Sequence, residues 1–419
     1  MDVLENVVKE LDDCYVEASL ARKEVTNLYF ENNRFKSADS GVKVRLEIRV
    51  TKGLRSAYAW TNNLSNWKEC ALEAKKLMKA SSELRAKPVL SRRGASRSFA
   101  HRLISKVTPE ILREEGTKAI SAANDVGVNV PSLSISREIS SISFLNSNLN
   151  KCSEQNSEVS VGIECALGDA SAWDSRSSNG LTFSIEELGK STAELCKKSA
   201  SPKKIKSGLY DVVLDFNALT ELLSILIPSF EANNIVEHNS VLIGRLGEQV
   251  ISPLITLSDK GYLKDSPDNC VVDSEGVRVV DKDIFSKGVL QTFINDIYTA
   301  AQMNTSPTGN SGGLVKRGLV STHNLIIKQG QSLREDMLKD SIYINALMGT
   351  HTANVVTGDF ALSALNAYDY RGNRPLRDLM ISGNVFELLK NVEMVGKNQR
   401  TDGGYSLPLI RFKDVQLVG

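Results

Sequence analysis

The chain has no C-x-x-C pair, no H-E-x-x-H, no G-x-x-x-x-G-K-[ST], and only four histidines in 419 residues. Each gap removes a class of function. The cysteines (Cys14, Cys70, Cys152, Cys165, Cys196, Cys270) are scattered, which argues against a disulfide framework and against a structural zinc knot. Without the Gly-rich motif, and without G-x-G-x-x-G after a strand, no phosphate cradle is legible. No apolar run reaches about 18 residues, so no membrane-spanning helix is expected. The stretch MDVLENVVKELDDCYVEASL lacks a basic n-region and an apolar h-region. It therefore does not read as a signal peptide, and a cytoplasmic location is expected. Net charge is +1, from 51 basic and 50 acidic residues. The basic excess that phosphate neutralisation calls for is missing, which argues against a nucleic-acid partner. One stretch is basic, ELRAKPVLSRRGASRSFAHR (83–102), but it lacks interleaved aromatics and reads as a solvated linker rather than a polyanion contact.

What is present is an ordinary core-forming composition, 41% hydrophobic and 24% charged, over a length suited to two or three domains. Leu4, Val7, Val8 and Leu11 recur at helical spacing in residues 2–13. GVKVRLEIRV (41–50) alternates strictly, with Val42, Val44, Leu46, Ile48 and Val50 on one face and Lys43, Arg45, Glu47 and Arg49 on the other. This predicts a half-buried antiparallel strand with LRSAYAWTN (54–62) as its hairpin partner. Residues 64–82 read as a helix with Leu64, Trp67, Ala71, Ala74 and Leu77 inward. Thr108 and Pro109 are good N-cap and N1 residues for a helix to about Val126. Serine-rich strands follow between about 132 and 167, then a helix from near Ser184 to about Lys198. Helix, strands, helix thus occurs twice before residue 200. The junction SPKKIKSGLYD (201–211) divides the chain into 1–205 and 206–419. Beyond it YDVVLDF predicts a strand, NALTELLSIL a helix, and the rest short strands with glycine-rich turns. The fold class is α+β: a duplicated helix/strand N-terminal domain, then a β-rich C-terminal domain.

Two stretches suggest hydrolysis. GNSGG (309–313) looks like the surround of a nucleophilic serine, but Asn310 precedes Ser311, and His323 and His351 follow it in an order that the two-barrel serine proteases do not use. A flexible glycine loop is the plainer reading. NIVEH (234–238) looks like an inverted zinc helix, yet Asn234 stands where a histidine is needed, leaving His238 as the one nitrogen ligand. An exposed Glu237–His238 pair at a helix end is expected instead. His101 lies in the basic stretch. His351 is the histidine to keep, being surrounded by glycines and small polar residues. The residues alone show no catalytic constellation.

Five ordered stretches of the second half carry a resemblance: GRLGEQV (244–250), VVDSEGVRVVDKDIFSKGVLQTFINDIYTAAQMNTSPTGNSGG (271–313), VVTGDFALSALNAYDYRGN (355–373), LMISGNVFELLKNVEMVGKN (379–398) and GGYSLPLIRFKDVQLVG (403–419). They resemble the TldD/PmbA family, whose members were once called modulators of DNA gyrase; VKVRLEIRVTKGLRSAYAWTNN and the helix after it agree more loosely. The resemblance makes GNSGG the family's TGN turn. It implies a duplicated N-terminal domain, a β-rich C-terminal domain with a groove, and a dimer, commonly TldD with TldE, working as a zinc metallopeptidase on unfolded peptides. The TldD type carries H-E-x-x-x-H on a helix and a cysteine ligand near the C-terminus. By the family's spacing those positions fall near Leu223, Ser224, Pro228 and Arg400, and no cysteine follows Cys270. Pro228 should moreover end the helix. The resemblance is therefore to the PmbA/TldE type: no catalytic or metal-binding residue in this chain, no cofactor of its own, and zinc in a TldD-like partner.

A peptide or unfolded segment could add as a strand to a sheet edge, where main-chain hydrogen bonds bind without regard to sequence. Thr350, His351, Asn354, Thr357 and Asp359, beside Gly349 and Gly358, are the candidate groove residues, the alternative being a tight turn between strands. Three further readings stay open: a homodimeric metallopeptidase using Glu237, His238 and His351, a non-enzymatic peptide-binding module, and a nucleic-acid binder, to which the balanced charge gives little support.

Overall fold

The computed structural model describes residues 3–88 and 95–419. The first half runs α1 (Val3–Glu10), β1 (Tyr15–Glu31), β2 (Arg34–Lys52), β3 (Arg55–Thr61), α2 (Trp67–Ala80), β4 (Ser96–Ser98), α3 (Pro109–Val126), β5 (Asn129–Asn146), β6 (Lys151–Leu167), β7 (Ala170–Ser178) and α4 (Ile185–Lys198). The expected repetition of element order is thus present: helix, three strands, helix, twice. The strands form one sheet in the order β3-β2-β1-β5-β6, with β7 on the later half of β6. The antiparallel seam from Glu17↔Asn146 to Glu31↔Ser132 joins the two units.

Local chemistry sets the helix ends. The Thr108 hydroxyl accepts from the Ile111 amide, Pro109 opens α3, and Gly127, at φ 95°, closes it. The Ser184 hydroxyl caps α4 through the Glu187 amide. The two helices approach closely because residue 189 has no side chain: a Cβ there would lie 2.4 Å from the Ala119 carbonyl oxygen. α1 buries Leu4 and Val7 completely, and Leu11 just beyond its end is buried as well, while Val8 is only partly covered.

Four expectations need correction. The buried stripe of α2 is Cys70, Ala71, Ala74 and Met78, while Leu77 is 43% exposed. In β2 Leu46, Ile48 and Val50 reach the core; Val42 is 53% exposed, because it pairs with Glu24 in the middle of the long β1–β2 ribbon, between the two apolar cores that the ribbon's ends reach. Arg49, assigned to the solvent face, is 1% exposed. The stretch 83–102 is not wholly a linker: Ser96–Ser98 pair in parallel with Ser153–Gln155 on β6, and Phe99 is buried beneath the Arg97 guanidinium. Residues 89–94 of it lie outside the described residues.

The second half runs β8 (Gly208–Leu214), α5 (Phe216–Phe230), α6 (Ala232–Val236), β9 (Leu257–Lys260), β10 (Lys282–Ser286), β11 (Val289–Leu290), α7 (Ile297–Gln302), β12 (Asn324–Ile327), α8 (Arg334–Leu338), β13 (Ile342–Met348), β14 (Asp359–Asp369), β15 (Arg374–Leu376), β16 (Met380–Asn384), α9 (Val385–Lys390), β17 (Val392–Asp402) and β18 (Tyr405–Val418). β8, β13, β14, β16 and β18 pair in a closed ring, so this part of the sheet is a small barrel without free edges. β9 to β12 extend the sheet from the start of β18, and β17 hairpins onto β18. Leu219, Leu222, Leu223 and Leu226 of α5 belong to the same apolar core as the barrel strands.

A buried ionic cluster fastens the halves together. Arg49 Nη1 pairs with Glu275 and lies 3.5 Å from Glu17; its Nε and Nη2 donate to the carbonyls of Leu314 and Gly313 at 3.0 Å. Arg317 completes the square, 2.9 Å from Glu17 and 3.3 Å from Glu275. All four side chains are at most 4% exposed. Burial alone would depress the Arg49 guanidinium, but Glu17 and then Glu275 outweigh it and hold it above its ordinary value. The square sets two guanidiniums against two carboxyl groups, the arrangement in which buried ions are tolerated; burial pushes Glu275 up, against the pull of Arg49 and Arg317.

Candidate functional site

The helix that matches the family's metal-binding segment is α5. Asp215 caps it, one carboxylate oxygen accepting from the Phe216 amide at 2.7 Å and the other from the Tyr343 hydroxyl. Leu223 is packed in the core. Ser224 faces solvent, its hydroxyl donating to the Glu221 carbonyl at 2.6 Å. Contrary to expectation, Pro228 does not end the helix, which continues to Phe230. In the last turn a proline removes one intrahelical bond, and the carbonyl left over is that of Ser224, on the wet side.

Arg400 is remote from those positions along the helix. Its guanidinium lies over the Phe216 ring at 4.6 Å, at the start of α5. Leu223 and Pro228 are roughly 10 and 18 Å further along the axis at 1.5 Å per residue. Arg400 is engaged through both terminal nitrogens: Nη2 is 2.9 Å from Asp174 and 2.8 Å from Asp402 and donates to the Ser175 carbonyl at 2.6 Å, while Nη1 reaches Asp174 at 3.2 Å; its Nε is buried without a hydrogen-bond partner among the described residues. Asn217 holds the same Asp174 at 3.1 Å. Although burial alone would lower the guanidinium, Asp174 and Asp402 keep it above its ordinary value. A leucine, a serine, a proline and an ion-paired arginine offer no donor set for zinc. The residues at these positions do not fit the metal.

Beside Arg400 opens a cavity of about 310 Å³. Arg176 of β7, Asp215, Arg334 of α8, and Lys397 and Arg400 of β17 supply its charged wall. β17 shifts register against β18 between Val395 and Gln399, and the bulged residues Gly396, Lys397 and Asn398 line the cavity. These residues escape sequence reading because β7, α8 and β17 are far apart in the chain; the one available signal is the family position of Arg400.

The candidate groove residues lie at the other side of α5. Gly349, at φ 104°, caps the short 3₁₀ turn Thr350–Thr352, and the Thr350 hydroxyl donates to Glu221 of α5 at 2.8 Å. The Asn354 side chain accepts from the amides of Val356 and Thr357, and the Gly358 amide donates to the Asn354 carbonyl at 2.7 Å. Gly358, at φ 86°, leaves no room for a side chain: its Cβ would lie 2.8 Å from Val385. Asp359 accepts from Asn384 and from the Thr357 hydroxyl, which together lower its pKa. Asn354 and Asp359 form the bridge that closes this turn into β14. His351 is exposed on the turn.

The remaining sequence candidates separate. Glu237 and His238 are exposed just beyond α6, His238 at φ 60°. Among the described residues no three His, Cys, Asp or Glu side chains are placed to hold a metal ion, so Glu237, His238 and His351 do not form a ligand set. GNSGG is anchored rather than flexible: Asn310 and Ser311 are buried, Asn310 Nδ2 donates to Asp259 at 2.8 Å, and the Ser311 amide donates to Asp273 at 2.9 Å. The Ser311 hydroxyl is 3.4 Å from the Gly313 carbonyl, with no base upon it. Nearby, in an interdomain cavity of about 380 Å³, Cys270 Sγ meets His323 Nδ1 at 3.1 Å. His323 Nε2 lies 2.6 Å from the Gly309 carbonyl, so Nε2 carries the proton and Nδ1 accepts from the thiol. Burial, then Glu154, Asp259, Asp273 and Asp268, push that thiol well above its ordinary value. It is not a thiolate nucleophile. All six cysteines are free. Among the described residues no helix is long and apolar enough to cross a membrane.

Residues 207–419 match the PmbA/TldA metallopeptidase C-terminal domain, and residues 16–77 match domain 1 of the same family. An uncharacterized protein of Methanocaldococcus jannaschii is 34% identical over 273 residues, which span 63% of this chain and 65% of that protein, just under two thirds. A metalloprotease of Methanothermobacter thermautotrophicus is 25% identical over 430 residues, spanning 96% of this chain and 93% of the relative. The fold is shared with TldE from Thermococcus kodakarensis, with a TM-score of 0.90 at 22% identity, covering 100% of this chain and 99% of that one. With its whole C-terminal half matched and its two-part architecture shared, the chain belongs to the PmbA/TldD metallopeptidase family.

Proposed function

We propose that this chain is a non-catalytic, TldE/PmbA-type subunit of a two-subunit zinc metallopeptidase acting on peptides and unfolded segments. The observation that carries the reading is Arg400. Near the family's cysteine position stands a cation neutralised by Asp174 and Asp402, no cysteine follows Cys270, and the helix positions fall near Leu223, Ser224 and Pro228. Zinc, in this reading, belongs to a TldD-like partner with an intact H-E-x-x-x-H helix. This chain contributes a wall of the substrate chamber, including the turn Gly349–Asp359 and the bulged strand beside Arg400. It excludes folded proteins and offers an extended segment main-chain and side-chain partners.

The test is reconstitution. The purified chain, mixed with a family member carrying the intact motif, is assayed on casein and on an unstructured fluorogenic peptide. Turnover is expected in the mixture well above that of the partner alone, and none from this chain alone. A mixture no faster than the partner alone counts against the reading.

A further inference from the structure

The cavity beside Arg400 has more positive charge than its neighbours neutralise. Among the described residues, Arg176 is half-buried on its wall with no hydrogen bond or ion pair to any side chain, and Lys397 likewise has no carboxylate partner. Arg334 leans over the Tyr343 ring at 5.6 Å and has no ion pair. The one carboxylate on the wall, Asp215, already accepts from the Phe216 amide and the Tyr343 hydroxyl. Arg400 is held by Asp174 and Asp402. Counting the sheltered Arg176 and Arg400 together with the exposed Arg334 and Lys397 at the mouth, against Asp174, Asp215 and Asp402, leaves one positive charge in excess. Burial, and then repulsion from Arg400, lower the Arg176 pKa, against the opposing pull of Asp402, Asp174 and Asp215.

Resting on the peptide reading above, we propose that this cavity binds the C-terminal carboxylate of an extended peptide, with Arg176 as its principal partner. One surplus charge suits a monoanion better than a phosphate dianion. The planar guanidinium matches a carboxylate with two parallel hydrogen bonds. A cavity of about 310 Å³ admits a chain end and excludes a folded domain. The bulge at Gly396–Asn398 is held from one side by Gly330 and Ser332, whose main chain pairs with Val395, Gly396 and Lys397, so it forms a fixed wall of the cavity.

Three peptides on the full chain decide the matter by isothermal titration: acetyl-pentaalanine as the free acid, the same peptide as its C-terminal amide, and that amide with one internal alanine replaced by glutamate. A charge-assisted hydrogen bond of this kind is worth about tenfold or more in affinity. The free acid should bind about tenfold more tightly than the amide, and the glutamate-containing amide should bind like the amide. In Arg176→Gln the acid should fall to the amide's affinity. Unchanged binding of the amide by that variant shows that its fold is intact. Equal binding of acid and amide to the wild-type chain overturns this inference alone. So does a preference that survives Arg176→Gln. A glutamate amide that binds as well as the free acid assigns the cavity to acidic side chains and overturns the terminal assignment. Absence of binding by all three overturns the inference together with the peptide reading.

Discussion

Replacing Arg317 with leucine would leave Glu17 and Glu275 sharing one guanidinium, that of Arg49, with the cluster one negative charge in excess. The substitution removes ion pairs of 2.9 and 3.3 Å and a 2.9 Å hydrogen bond to the Thr51 hydroxyl, all in a site at most 4% exposed. Breaking a buried pair from one side costs about 3–5 kcal/mol, most of it the penalty of the uncompensated charge. That origin can be tested. If charge imbalance is the cost, adding Glu17→Gln to Arg317→Leu restores neutrality and recovers about 2 kcal/mol, within the range of coupling energies for residues in contact. Urea unfolding provides the assay, with an internal control. Trp60, Trp67 and Trp173 all lie in the first half, so tryptophan fluorescence follows that half while far-ultraviolet circular dichroism follows both. Because the square joins the halves, the two transitions should coincide in the wild type and separate in Arg317→Leu. A loss below about 1 kcal/mol, or a double variant less stable than the single one, would refute the charge-balance reasoning.

Two further outcomes follow from the packing and the titration of particular groups. Burial pushes Glu231, at the α5–α6 junction, up to about 7 from an ordinary 4.5. The folded state therefore holds a proton that the unfolded state has lost between those values, and stability drains as pH rises from about 4.5 to 7, then levels. Glu231→Gln should be more stable than wild type by about 2 kcal/mol at pH 8, after discounting for partial exposure, and equal near pH 4.5; a melting-temperature difference that does not vary with pH contradicts this. Gly189→Ala should cost about 2–3 kcal/mol, because the Ala119 carbonyl at 2.4 Å is backbone and cannot step aside. Gly41→Ala, with nothing within 4 Å, should be near neutral in the same melts.

Elements fixed by local chemistry were legible in the sequence, and those fixed by distant partners were not. Thr108-Pro109 and Ser184 mark helix starts because the capping hydroxyl and the amides it serves are neighbours in the chain. Arg49 was misplaced for the opposite reason. Alternation put it with Lys43 and Arg45 on a wet face, but its partners Glu275 and the carbonyls of Gly313 and Leu314 arrive from the other half of the chain. Sequence periodicity leaves 15–31 unassigned, since the middle of β1 carries Arg22, Lys23 and Glu24, and only its ends reach apolar cores. Pro228 misled because a proline rule for helix interiors does not bind in the last turn. The cavity beside Arg400 was invisible as a site. Arg176, Arg334 and Lys397 become neighbours through β7, α8 and the β17 bulge, which no local pattern encodes.

In the proposed function this chain holds no hydrolytic zinc ion of its own. Zinc content per chain, measured after dialysis against a weak chelator, tests it most directly. The account predicts far less than one zinc per chain, unchanged in His238→Ala. One tightly held zinc per chain, lost on that substitution and accompanied by peptide hydrolysis without a partner, would contradict it.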